Sequence, residues 1–222
     1  MAVRALLFDF DGLIIDTESP ALAAWRWVYA QHGQELTLDR WSAAIGTIGG
    51  FDAVAHLEDL VGAPPDETIL SRRLEHELTL VEAEELRPGV ADYLADAERL
   101  GLKRAIVSSG SRDWIDRHLR RLERVYGWDA IVTADRDESR AKPRPTLYLE
   151  ALGVLDVGAG EAIAFEDSPN GVAAAKAAGI ACVAVPNGVT AALGLDTADL
   201  VLGSMAELPL PRLIAHFERG EE

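Results

Sequence analysis

The chain has 222 residues, 49% of them hydrophobic and 26% charged, enough for one large or two small globular units around a sizeable core. Its net charge of −16 argues against nucleic acid or an anionic membrane as a partner. No apolar run reaches the roughly 18 residues that cross a bilayer, and a single cysteine, Cys182, leaves no intrachain disulfide framework and no multi-cysteine metal site.

The opening MAVRALLFDFDG has no secretory layout, because acids interrupt its apolar run at once, and a cytoplasmic protein is expected. Residues 4–10 (RALLFDF) read as a strand. Residues 17–86 then hold four helix-like stretches, ESPALAAWRWVYAQHG, DRWSAAIG, FDAVAHLEDLVG and DETILSRRLEHELTLVEAEE, with no convincing strand among them. Pro88 and Gly89 punctuate the return. From there the pattern predicts a helix over 90–101, a strand over 103–109 and a helix over 111–122 with Ser111 as N-cap. A strand over 129–134 and a helix over 144–153, ended by Gly153, come next. A strand over 162–168 leads into an Ala-rich helix begun by Ser168 and Pro169, followed by strands over 179–185 and 198–204. Strands alternating with helices predict βαβ units and a parallel sheet, here broken after its first strand by a helical insertion.

Two isolated features have simple explanations. Arg117, Arg120, Arg121 and Arg124 share one helical face, for which a solvated surface is a simpler account than a binding patch. Cys182, in the apolar run GIACVAVP, reads as a small buried hydrophobe.

The acids need more. LLFDFDGLIIDT places Asp9 and Asp11 among apolar neighbours, where a carboxylate is costly unless compensated. A hairpin at Asp11-Gly12 accounts for Asp11 but not for Asp9, two residues away on the same face of a strand. Another strand, AIAFEDSPNG, ends in Glu166 and Asp167. RAIVSSGS ends in Ser108, Ser109 and Gly110, and AKPRP holds Lys142 between small and proline residues. One chemistry needs them together. Carboxylates facing one point call for a hard cation such as Mg²⁺, the Ser108–Gly110 hydroxyl and N–H groups suit phosphate oxygens, and Lys142 neutralises charge that remains.

DFDGLIIDT, IVSSGS, KPRPTLYLEALG and FEDSPNGVAAAKAAG, in that order, resemble the four motifs of the haloacid dehalogenase-like hydrolases, nearest to the subgroup of β-phosphoglucomutase and the small sugar- and glycolate-phosphate phosphatases. The resemblance spans essentially the whole chain and rests on the ordered set rather than on any one motif. It implies an α/β fold: a Rossmann-like parallel-sheet core over 1–16 and 87–222, and an inserted four-helix cap over 17–86. It further implies Asp9 as nucleophile and Asp11 as general acid and base. Mg²⁺ would be held by Asp9, the Asp11 backbone carbonyl, Asp167 and, directly or through water, Glu166. Ser108, Ser109, Gly110 and Lys142 would hold the phosphoryl group.

The sequence departs from the pattern in three places. Ala141 stands where a glycine usually precedes the motif lysine. β-Phosphoglucomutase has a histidine in its first cap helix, where this chain has Ala21 and no histidine before His32. Residues 43–51 carry no Lys or Arg, although Arg40, Arg72 and Arg73 lie elsewhere in the insertion. These departures favour a Mg²⁺-dependent phosphatase of a small phosphorylated metabolite over a phosphosugar mutase, with a non-enzymatic phospho-acceptor module as a third reading. A monomer or weak dimer is expected.

Overall fold

The computed structural model describes residues 2–46, 50–123 and 127–219. Six parallel strands form one sheet: β1 (Ala5–Phe8), β2 (Lys103–Ser108), β3 (Ala130–Thr133), β4 (Ala162–Glu166), β5 (Ala181–Ala184) and β6 (Leu200–Val201). Their spatial order is β3-β2-β1-β4-β5-β6. The first strand is therefore central, with Leu7 opposite Ala105 of β2 and Ala164 of β4.

Both faces of the sheet are covered, which is why the strands read as unbroken apolar runs rather than alternating ones. One face carries Leu6, Phe8, Ile106, Ile163, Phe165 and Val183 and packs under α5 (Val90–Leu100), α6 (Arg112–Arg121) and α9 (Leu210–Arg219). The other carries Ala5, Leu7, Ala105, Val107, Ala164, Cys182 and Ala184 and packs under α7 (Thr146–Leu155) and α8 (Pro169–Ala177). Small side chains dominate that second face, and α8 meets it with Ala174 and Ala175, so helix and sheet approach closely. Cys182 is fully buried there.

Between residues 17 and 86 the described residues form helices and no strand: α1 (Glu18–Gln31), α2 (Leu38–Trp41), α3 (Ala53–Val61) and α4 (Glu67–Ala83). They pack around an apolar cluster built on Leu22, Val28, Tyr29, Trp41 and Leu57, which Val189 from the segment after β5 completes. Tyr29 donates from its hydroxyl to Ala53 O at 2.9 Å, tying α1 to α3. The two passages between sheet and insertion run side by side: Ile15 bridges Leu86 in antiparallel sense, and Arg87 N donates to Ile14 O at 2.9 Å.

Three expectations need correction. Gly153 does not end its helix; α7 continues to Leu155 because Leu152 and Leu155 are both buried, and the left-handed residue that stops it is Asp156, at φ 52°. A C-terminal helix, α9, stands where no element was expected, fixed by burial of Leu210 and Leu213. Finally, the solvated face holds for Arg117 and Arg120, both exposed, but not for Arg121. Arg117 pairs with Glu82, and Arg121 donates to Glu82 O at 3.1 Å and Glu84 O at 2.6 Å, capping the C-terminal end of α4. Arg120 is exposed; Arg124 and residues 47–49 of the 43–51 loop lie outside the described residues.

Candidate active site

In an open parallel sheet, ligands bind beyond the carboxyl ends of the strands. The adjacent strands β2, β1 and β4 deliver Ser108, Asp9 and Glu166–Asp167 to one such point. Asp9 follows β1 directly and is anchored by its N–H to Phe165 O at 3.0 Å. The chain then turns at Gly12, whose φ is +79° and whose N–H reaches Ile15 O at 2.8 Å. The turn read at Asp11-Gly12 is present, but Asp11 and Ile15 bridge across it in parallel sense rather than as an antiparallel hairpin.

Lys142 is buried among the acids. Its Nζ pairs with Asp9 Oδ1 and lies 2.7 Å from Glu166 Oε1, an oxygen that also accepts from the Tyr148 hydroxyl. Burial pulls the ammonium toward neutrality, but the Asp9 and Glu166 charges outweigh it and hold its pKa above the ordinary lysine value. The acids show the opposite balance. Burial raises Asp9 against the pull of Lys142, lifts Glu166 to about 7 and raises Asp167 strongly, helped by the nearby charges of Asp9, Glu18 and Glu166.

Asp9, Glu166 and Asp167, all buried, each offer a carboxylate oxygen within 4.8 Å of the others. Glu166 Oε2 is buried with no hydrogen-bond partner among the described residues. Three carboxylates against one lysine leave uncompensated negative charge, and every donor is a hard oxygen. The set fits a hard divalent cation. The Asp11 side chain stands apart from this group. Its Oδ1 accepts from Trp114 Nε1 at 2.8 Å and its Oδ2 from Ser108 Oγ at 3.3 Å. Burial and then the Asp9 charge raise it to about 6.

Ser108 Oγ also accepts from Gly110 N at 2.9 Å. Ser109 Oγ accepts from Lys142 N at 3.2 Å and donates to Gly46 O at 3.4 Å. Asp9, Asp11, Ser108, Ser109 and Gly110 line a cavity of about 180 Å³, closed from the helical insertion by Glu18, Ala44 and Gly46. This volume is below the ~300 Å³ at which ordinary small-molecule pockets begin. Gly46 is pressed onto the sheet side, where an added Cβ would lie 2.2 Å from Ser168 Oγ, and Asn170 Nδ2 donates to Ile45 O at 2.9 Å.

All eight residues expected from the sequence therefore gather at one end of the sheet. Four others were not anticipated: Glu18, Trp114, Tyr148 and Asn187. Glu18 lines the cavity, and burial followed by the charges of Asp11 and Asp9 lifts it to about 8. Trp114, Tyr148 and Asn187 each act on a group supplied by a distant segment, so their roles are not marked locally even where, as for Tyr148, the residue lies within a recognised motif. A buried polar side chain near an acid-tipped strand end is recognisable only once the strands are ordered.

A family model described as haloacid dehalogenase-like hydrolase matches residues 3–179. YhcW of Bacillus subtilis (strain 168) is 42% identical over 215 residues, covering 96% of this chain and 97% of that protein. Validoxylamine A 7'-phosphate phosphatase of Streptomyces hygroscopicus subsp. limoneus is 30% identical over 210 residues, covering 95% and 98%. Among solved structures, a variant of CbbY from Rhodobacter sphaeroides in complex with xylulose-(1,5)bisphosphate superposes with a TM-score of 0.74 at 30% identity, covering 93% of this chain and 96% of that one.

Proposed function

Because the chain belongs to the haloacid dehalogenase-like hydrolases, we propose that it is a phosphatase that hydrolyses a small phosphate monoester, a sugar phosphate or similar, by transient phosphorylation of Asp9. The observation that carries this reading is the meeting of two acids with different partners at one cavity: Asp9 beside the buried Lys142 ammonium, and Asp11 held by Trp114 and Ser108 and raised to about 6 by burial and the Asp9 charge. The first suits a nucleophile and the second a proton donor at neutral pH.

Asp9 attacks phosphorus in line with the ester oxygen. The phosphorus–oxygen bond to the leaving group breaks, and Asp11 gives its proton to that oxygen. Water then attacks the phosphorus of the aspartyl phosphate, Asp11 takes its proton, and the bond to Asp9 breaks to release phosphate. Ser108, Lys142 and the backbone N–H groups of Ser109 and Gly110 hold the phosphoryl oxygens. Mg²⁺ would be held by Asp9, Asp167 and the Asp11 carbonyl, with Glu166 directly or through water, and supplies charge neutralisation for the phosphoryl oxygens and the clustered acids.

We take residues 17–86 as a cap over a core made of 1–16 and 87–222. The apolar cluster that α1–α4 share with Val189 and the contacts of Ile45 and Gly46 with Asn170 and Ser109 support a lid that excludes water during transfer. The names of the relatives support a phosphorylated carbohydrate as substrate class. Hydrolysis is favoured over isomerisation because the cap offers little to grip a second phosphate. Ala21 occupies the first cap helix, Arg72 and Arg73 stack over Trp27 and Trp25, and Arg73 is paired with Glu77.

The test is phosphate release across a panel of sugar phosphates, glycolate phosphate and nucleotides with Mg²⁺. A parallel reaction contains β-glucose 1-phosphate and a trace of glucose 1,6-bisphosphate. Free phosphate without isomerisation is expected; rapid glucose 6-phosphate formation with little free phosphate overturns the assignment.

A further inference from the structure

Asn187 follows β5, outside the four motifs, and no step above uses it. It is 6% exposed, and its side chain has no hydrogen-bonding capacity left over. The amide Nδ2 donates to Asp167 Oδ2 at 2.8 Å and to Gly12 O at 3.2 Å. The amide Oδ1 accepts from Val189 N at 2.9 Å and Thr190 N at 3.0 Å. Its own N–H donates to Thr190 Oγ1 at 2.9 Å. Reversing the amide would set its oxygen against a carboxylate and a carbonyl and its NH₂ against two N–H groups, so its orientation is fixed by its partners.

The surroundings are built around this bond. An added Cβ at Gly12 would lie 2.2 Å from Asp167 Oδ2 and 2.8 Å from Asn187 Nδ2, so only glycine lets the pair close against the turn. Arg87 holds both backbones that Asn187 bridges: its Nη1 donates to Gly12 O at 2.5 Å and Val185 O at 2.9 Å, and its Nη2 to Pro186 O at 2.6 Å.

We propose that Asn187 is a positioning residue for the cation: it pins Asp167 through Oδ2 and so assigns Oδ1 to the metal. The inference rests on the proposed function, which makes Asp167 a metal ligand. Hydrogen-bonded partners of this kind orient a ligating carboxylate, and their loss typically lowers metal affinity about 10- to 100-fold.

The experiment measures Mn²⁺ binding to the full chain by electron paramagnetic resonance of the free ion. Asn187→Ala removes the amide. Asn187→Ser keeps an oxygen for the Val189 and Thr190 N–H groups but withdraws the donor from Asp167, so at least one variant retains the turn; circular dichroism checks that each is folded. The expected result is a Kd for Mn²⁺ raised by about 10- to 100-fold in both, with kcat recovered at saturating Mg²⁺ and the KM for the ester unchanged. A folded variant that binds Mn²⁺ within twofold of the parent overturns the positioning role alone. A parent protein that binds no Mn²⁺ overturns the metal reading and this inference together.

Discussion

Trp114 Nε1 donates to Asp11 Oδ1 at 2.8 Å, joining the helix after β2 to the acid after β1. An indole can only donate, so Oδ1 is an acceptor in every protonation state and the transferable proton sits on Oδ2, beside Ser108 Oγ. Trp114→Phe keeps the ring and removes the donor. A hydrogen bond to a charged group contributes about 1.5–3 kcal/mol, so kcat for an alkyl phosphate should fall about tenfold or more. The loss for p-nitrophenyl phosphate, whose leaving group needs little proton, should be smaller. Equal losses on both esters would show that Trp114 only packs.

Asp9→Asn preserves shape and removes the nucleophile. Turnover should drop at least about a thousandfold, while the circular dichroism spectrum stays that of the parent. Beryllium fluoride with Mg²⁺ should protect the parent against thermal unfolding and leave the variant unaffected. Turnover near the parent level would remove the covalent mechanism.

The metal-free protein should lose stability as pH rises. Asp11 is raised to about 6, Glu166 to about 7 and Glu18 to about 8. Between the ordinary carboxyl range and these values the folded state holds protons that the unfolded chain has released, so unfolding becomes easier toward pH 8. A bound cation reverses this, because it favours the deprotonated carboxylates. Melting temperatures with EDTA and with Mg²⁺ should therefore differ more at pH 8 than at pH 5.

His118 acts in the opposite direction. It is fully buried against Trp114, with ring centroids 4.2 Å apart, and neither ring nitrogen has a hydrogen-bond partner among the described residues. Burial, then the charges of Arg121 and Arg117, lower its pKa to about 4 from 6.5. The unfolded chain thus takes up a proton first as pH falls, and stability is lost from about pH 6.5 toward 4. His118→Phe should flatten this limb in urea titrations at pH 7 and pH 5, both with Mg²⁺ present. An unchanged difference between the two midpoints would assign the acid limb to other groups.

Arg121 caps α4 by donating to the carbonyls of Glu82 and Glu84, groups that no helical N–H can reach. Arg121→Ala should speed hydrogen exchange at the C-terminal end of α4 and in the passage that follows, with exchange in β1, β2 and β4 unchanged. Uniform acceleration everywhere would point to global destabilisation instead.

What was legible in the sequence follows from where partners lie. Strands buried on both faces read as short apolar runs, and acids at their ends stand out because nothing nearby compensates them. Asp9, Glu166 and Asp167 are visible on that basis, and Lys142 only as the counter-charge they call for. Tyr148 was not, since it occupies an ordinary core position of α7 and gains its role only by meeting Glu166. Gly153 misleads because the burial of Leu152 and Leu155 on either side carries the helix through it. The solvated face read for the α6 arginines fits Arg117 and Arg120, but a helical wheel cannot show that Arg121 is packed against the end of α4.

The central place of β1 has a consequence for how the protein comes into being. Ala5 is paired with Lys103 on one side and Ala162 on the other, so the first strand to leave the ribosome waits longest for its neighbours. The α1–α4 segment, whose first and last helices pack against each other, is complete while β1 stays unpaired. β1 gains both flanking strands only when β4 has been made. No nascent chain ending before Asp167 can then assemble the carboxylate set, and enzymatic competence arrives late in synthesis and all at once.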